Sequence, residues 1–251
     1  TFTGTGSMIN SNVMRGVVAG TAVDITFAGG NLTNSGTMTV GAMVLTGTGK
    51  IDNNLGTLNT DTVAIVNGTI TNKAILTSTD ITFTGTGNIV NSKDIKERNL
   101  GGGIDITFAG GSLTNTGNML TVDALEFTLS GALNNNLGTI TANTIVMVNG
   151  DLTNKATLNA NDITINGIGN LLTSKVLKSD GITLNGGNLT NSLTGIVAER
   201  TVGGAGDFIS LIGGGTLTNS STATNALIIE DLTLNGANLS SSKFMNILGD
   251  F

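Results

Sequence analysis

The chain has no cysteine, histidine, proline, tryptophan or tyrosine in 251 residues. Without cysteine there are no disulfides, thiolate nucleophiles or zinc–sulfur sites; without histidine the commonest metal ligand and general base is missing. No enzyme, no metal site and no cofactor is therefore expected. Positive charge is scarce too. Eleven Lys and Arg against seventeen Asp and Glu give a formal charge of −6, which argues against nucleic acid, whose phosphates are held by cations. The eight Phe are the only aromatics, so no base-stacking platform is expected. The longest apolar runs are four or five residues, far short of the ~20 of a membrane-spanning helix. No Met and no basic-then-apolar leader opens the chain, which is expected to be a processed or excised piece.

What is present is Gly (37), Thr (41) and Asn (32), poor residues for helix interiors, with a positive mean hydropathy of +0.25. The apolar content argues against disorder. The chain then repeats itself. A short G-x-L-x-N unit recurs around Asn10, Asn34, Asn53, Asn72, Asn91, Asn115, Asn135, Asn154, Asn191 and Asn219, with Thr173 and Ser241 standing in for Asn twice. The base period is about 19 residues, giving about twelve units. A longer period of about 81 residues lies on top: TFTGTG at Thr1 returns at Thr82, and VNGTITNKA at Val66 returns as VNGDLTNKA at Val148. Four short units thus form a module, present roughly as 1–81, 82–163 and 164–251 of one continuous domain.

Within a unit the pattern alternates with period two, as in Asp24-Ile25-Thr26-Phe27, and is punctuated by Gly-Gly, Asn-Gly and Gly-Thr-Gly. That reads as short strands and tight turns, three strands closing one turn of an all-β parallel solenoid. Leu32, Ile51, Ile70, then Ile89 or Val90, Leu113, Leu133 and Leu152 are expected to form an inward apolar ladder. The Asn column is expected to be structural: Asn tolerates a left-handed corner, and stacked amides can hydrogen-bond along the column.

Units such as GNLTNSGTMTVGAMVL (Gly30 to Leu45) and GTITNKAILTSTDITF (Gly68 to Phe83) resemble the repeats of filamentous-haemagglutinin-type exoproteins and autotransporter passengers. The resemblance covers nearly the whole chain. It implies a right-handed parallel β-helix, an extracellular or bacterial cell-surface location, and a role in adhesion or contact-dependent antagonism. Host or neighbouring-cell receptors or glycans would be the partners. A self-assembling filament or surface-layer subunit is the alternative, and a tailspike-like polysaccharide-cleaving β-helix is the third reading.

Several motifs invite sharper readings. Asp80 and Asp105 hold the same place in consecutive units and could stack roughly 5 Å apart, like a glycosidase pair, but Asp24 and Asp162 hold that place without an acidic neighbour. GGAGDF (Gly203 to Phe208) approaches a calcium nonapeptide yet lacks a residue and occurs once. Longer units at 11–23, 92–104 and 192–208 concentrate charge: Arg15, then Lys93, Asp94, Lys96, Glu97 and Arg98, then Glu199 and Arg200. These are the candidate interaction loops. Finally, Gly249-Asp250-Phe251 placed before Thr1 completes a D-F-T-F-T-G-T-G strand start, so copies are expected to associate end to end or to belong to a longer chain.

Overall fold

Every regular element is a β-strand, and the strands are brought together in parallel by a repeated turn. The computed structural model describes residues 2–15, 23–98, 102–198, 208–224, 226–243 and 245–248. No helix occurs among them. The chain is a β-solenoid of about eleven turns, about 19 residues to the turn; twelve Asn-type strands bound those eleven intervals. It divides into two compact units, Thr1–Leu125 and Glu126–Phe251.

One turn of the first unit shows how sequence makes the fold. Its first strand, Thr69–Asn72, sends Ile70 and Asn72 inward; its second, Ile75–Ser78, sends Leu76 and Ser78; its third, Asp80–Phe83, sends Ile81 and Phe83. All six are buried and their neighbours in sequence are not, which is the period-two alternation made physical. Each strand then pairs in register with its equivalent one turn on: Ile51↔Ile70, Ile70↔Ile89 and Ile89↔Leu113 along the first strands. That register decides between Ile89 and Val90: Ile89 is buried and Val90 is 40% exposed. Phe83 and Phe108 on successive third strands stack with their rings nearly parallel, centroids 4.8 Å apart.

The corner before each first strand is glycine because stacked turns leave no room. A Cβ on Gly49 would collide with the Gly30 carbonyl oxygen of the turn beneath.

The second unit follows the same plan with Leu133, Leu152, Leu171, Leu189 and Leu217 buried along its first strands. Here the second and third strands fuse into single ten-residue strands, Thr139–Val148, Thr157–Asn166 and Val176–Asn185. Ala142, Ala160 and Ser179 are buried at the bend, where the first unit has Thr60 and Ser78.

Candidate interaction surface

The Asn column is a ladder of side-chain amides. Asn10, Asn34, Asn53, Asn72 and Asn91 each donate from Nδ2 to the Oδ1 of the next, ending on Asn115, at 2.8–2.9 Å. The second N–H of Asn34, Asn53 and Asn72 goes to a main-chain carbonyl of the following turn, those of Thr57, Ile75 and Asp94. Each of these amides therefore stitches two turns twice, and the buried polar group is satisfied by its own repeat. One expectation is corrected. None of the column residues has a positive φ; the described non-glycine residues that do are Asn149 and Leu193. The column Asn is the last inward residue of a strand, ahead of the corner, so its amide rather than its backbone freedom explains its recurrence.

The charged segment 93–98 is also not a protruding loop. Asp94–Glu97 is the regular second strand of its turn, paired with Ile75–Ser78, and Ile95 is buried in the core. Its charges are largely satisfied locally. Lys96 Nζ donates to Asp94 Oδ2 at 3.1 Å, and the Glu97 carboxylate accepts the Gly102 amide at 2.8 Å. The hydrogen bond from Lys96 holds the Asp94 carboxyl below the usual carboxylate range, with help from Asn118 and the charge of Lys93. Arg98 lies back along the solenoid, its Nη1 2.6 Å from Asp61 Oδ1 and 2.9 Å from the Val40 carbonyl oxygen. It is a clamp between turns. Arg15 sits exposed at the end of the strand Val13–Arg15. Glu199, Arg200, most of the GGAGDF motif, Thr1 and Gly249 to Phe251 lie outside the described residues.

Asp80 and Asp105 are directly paired in register, as their spacing predicts. Asp105 Oδ1 accepts the Ala124 amide, and Asp24 Oδ1 accepts that of Ala42 in the same way. Asp at this place therefore caps the next turn. No group of three Asp, Glu, His or Cys able to hold a metal occurs among the described residues.

What the motif search missed is how charge is sorted among the three corners of a turn. The corner after the first strand carries lysine and no acidic side chain among the described residues: Lys73 and Lys93 in the first unit, Lys155, Lys175 and Lys243 in the second. All five are exposed and none is in an ion pair. The corner between the second and third strands is acidic apart from Arg98, which is paired with Asp61. In the first unit it holds Asp61 and Asp123, with Asp24, Asp80 and Asp105 heading the third strands; in the second, Asp162, Asp180, Glu230 and Asp231. At the glycine corner the charges are Lys50, paired with Asp52, and Asp151, each heading a first strand. The signal was present as N-K-A at Asn72 and Asn154 and S-K at Ser92 and Ser174, but it reads as a surface only once the corners are known.

Each unit also has an open notch on its lysine corner. In the first it is about 300 Å³, lined by Leu55, Lys73, Ala74, Ile75 and Lys93 among others. In the second it is about 210 Å³, lined by Leu137, Lys155, Ala156, Thr157, Lys175 and Val176. Leu55 and Leu137 are 79% and 80% exposed, and each shares its notch with lysines from the next two turns.

Compared with protein-family profiles, with curated proteins and with solved structures, the chain matches none.

Proposed function

We propose that this chain is a non-catalytic structural and adhesive segment of a bacterial cell-surface or secreted rod. The amide ladder carries the reading. A buried Asn on consecutive turns, each bonded to the next, commits every turn to stacking on its neighbour and builds a stiff scaffold from short repeats. Such a scaffold suits a molecule that must hold its surface at a distance. The likeness of Gly30–Leu45 and Gly68–Phe83 to filamentous-haemagglutinin-type repeats supports the same role, outside the cell and facing receptors or glycans on a host or neighbouring cell.

The test is attachment. Inert beads coated with the purified chain should bind bacterial or host cells more than beads coated with an unrelated β-protein. Failure to attach to any cell type, together with release of reducing ends from a polysaccharide panel, would replace the adhesive reading with an enzymatic one. Lys93→Ala and Arg15→Ala are suitable probes of attachment. Exchanging Lys93 to Arg98 for a Gly-Ser turn is not, because that segment supplies a core strand and the Arg98 clamp.

A further inference from the structure

The folding of a turn accounts for Asp24 and Asp105, which cap the turn that follows, but it requires no lysine at the corner after the first strand. The core needs Ile70, Leu76 and Ile81, and the ladder needs Asn72; the residue just after the ladder Asn faces solvent and tolerates either sign. Yet one corner is cationic and the next is anionic. These two corners are the edges of the same narrow face, that of the second strands. From Thr57 to Lys96 its outward side chains are uncharged or internally paired: Thr57 stacks on Ile75, Asn59 on Thr77, and Asp94 is bridged to Lys96. Elsewhere two exposed cations stand on it, Arg15 on the strand Val13–Arg15 and Lys178 on Val176–Asn185. Over the turns that carry Lys73 and Lys93 the face therefore has a positive edge, a strip without net charge and a negative edge.

We propose that this face is an interface between two copies of the chain, lying side by side and parallel, with the lysine edge of each copy on the aspartate edge of the other. Symmetry selects the arrangement. A two-fold axis along the solenoid direction brings the left edge of one face against the right edge of its partner, so cation meets anion at both edges of an isologous contact. Turning one copy end for end sets lysine on lysine and aspartate on aspartate, and is repelled. Both copies rise by the same ~4.8 Å per turn, so charges matched on one turn stay matched on the next. Lys73 and Lys93 project from successive turns, as do the directly paired Asp80 and Asp105. Leu55, Ile75 and the notch between the two lysines supply apolar surface that such a contact would cover. The second unit carries the same edges with Lys155, Lys175 and Asp162. This pairing is lateral, and it holds whether or not the rod is adhesive.

The test uses the full chain and two charge-reversed variants. Sedimentation should show dimers at about 0.01 M salt and weakening by at least about ten-fold at about 1 M, where the screening length drops from ~30 to ~3 Å. Lys73→Glu/Lys93→Glu/Lys155→Glu/Lys175→Glu should be monomeric, and so should Asp80→Lys/Asp105→Lys/Asp123→Lys/Asp162→Lys/Asp180→Lys/Asp231→Lys, which turns the aspartate edge cationic in both units. Mixed in equal amounts the two should pair again, because both edges of the mixed dimer are then complementary; misfolded variants could not restore each other in this way. A spin label on Thr77→Cys, unique in a chain without cysteine, should report a partner label near the ~10 Å separation of packed sheets. Monomers at low salt, dimers indifferent to salt, or no rescue in the mixture would overturn the proposal. So would binding of soluble polyglutamate to the lysine edge without self-association.

Discussion

The two units run the same ladder with different success. In the first, Asn10 through Asn115 is an unbroken series in which each amide from Asn10 to Asn91 donates to the next. In the second, Asn135 donates to Asn154 at 2.9 Å and Asn154 to Thr173 Oγ1 at 3.2 Å, and there the series stops. A threonine hydroxyl has one proton, and Thr173 gives it to the Lys175 carbonyl oxygen at 3.1 Å. Nothing is left for the next rung. The Asn191 Oδ1 is buried without a partner, while its Nδ2 is fixed by Asn219 Oδ1 and the Ala226 carbonyl oxygen. A hydroxyl with its one proton cannot both continue the run and bond a main-chain carbonyl, as the amide rungs do, and Thr173 gives its proton to the carbonyl.

The largest effect should come from giving the intact run a rung that cannot donate. Asn72→Asp keeps an acceptor for Asn53 but sets a carboxylate oxygen against Asn91 Oδ1, where Asn72 now donates at 2.8 Å. The site is fully buried, and we expect a loss of about 3–5 kcal/mol at neutral pH. Burial and the facing oxygen raise the folded pKa of this Asp above its unfolded value of about 3.9. Stability is then greatest below that value and is lost as pH rises through the folded pKa. Thermal midpoints at pH 4 and pH 7 check this; equal deficits at both would mean that charge is not the cause.

A smaller contrast separates the two runs directly. Asn72→Ala strands an N–H of Asn53 and the Oδ1 of Asn91, at a cost of about 2–3 kcal/mol. Asn191→Ala removes a side chain whose oxygen already lacks a partner and should cost about 1 kcal/mol less. Denaturant midpoints of the two variants would rank them. If Asn191→Ala proves the worse, the broken rung is not the weak point of the second unit.

The ladder could be foreseen because its signal returns at every turn and fixes the register with it: the G-x-L-x-N unit alone predicts that Asn34 lies over Asn53 and Leu32 over Ile51, as they do. The segment 93–98 was harder. Its alternation is real, with Ile95 inside and Asp94 and Lys96 outside, but one apolar residue among five charges gives no contrast to read. Expecting a left-handed column Asn went astray for another reason. Asn favours corners and amide stacks alike, and residue preference cannot say which side of the strand end it occupies. The sorting of charge by corner was illegible in principle, since Lys73 and Asp80 are seven residues apart in sequence and belong to different edges only once the turn is closed.

The smallest and most specific effect is a repair. Thr173→Asn supplies the missing donor at a position held in register with both neighbours, Asn154↔Thr173 and Thr173↔Asn191. The new amide would accept from Asn154 in place of the hydroxyl and offer one N–H to the buried Asn191 Oδ1. Satisfying that oxygen should stabilise the chain by about 1 kcal/mol, a rise of about 2–4 °C in the thermal midpoint. The step from Thr173 to Asn191 is one residue shorter than the usual 19, and Gly195 packs against the Asn191 oxygen, so the fit is close. Thr173→Val brackets the result from the other side, because it keeps the shape and leaves the Asn154 Nδ2 with only its bond to the Val176 carbonyl oxygen. The expected order of midpoints is Asn above Thr above Val. Finding Thr highest would mean that the hydroxyl is there to relieve crowding at the shortened turn, and that the orphaned oxygen costs less than the space an amide would need.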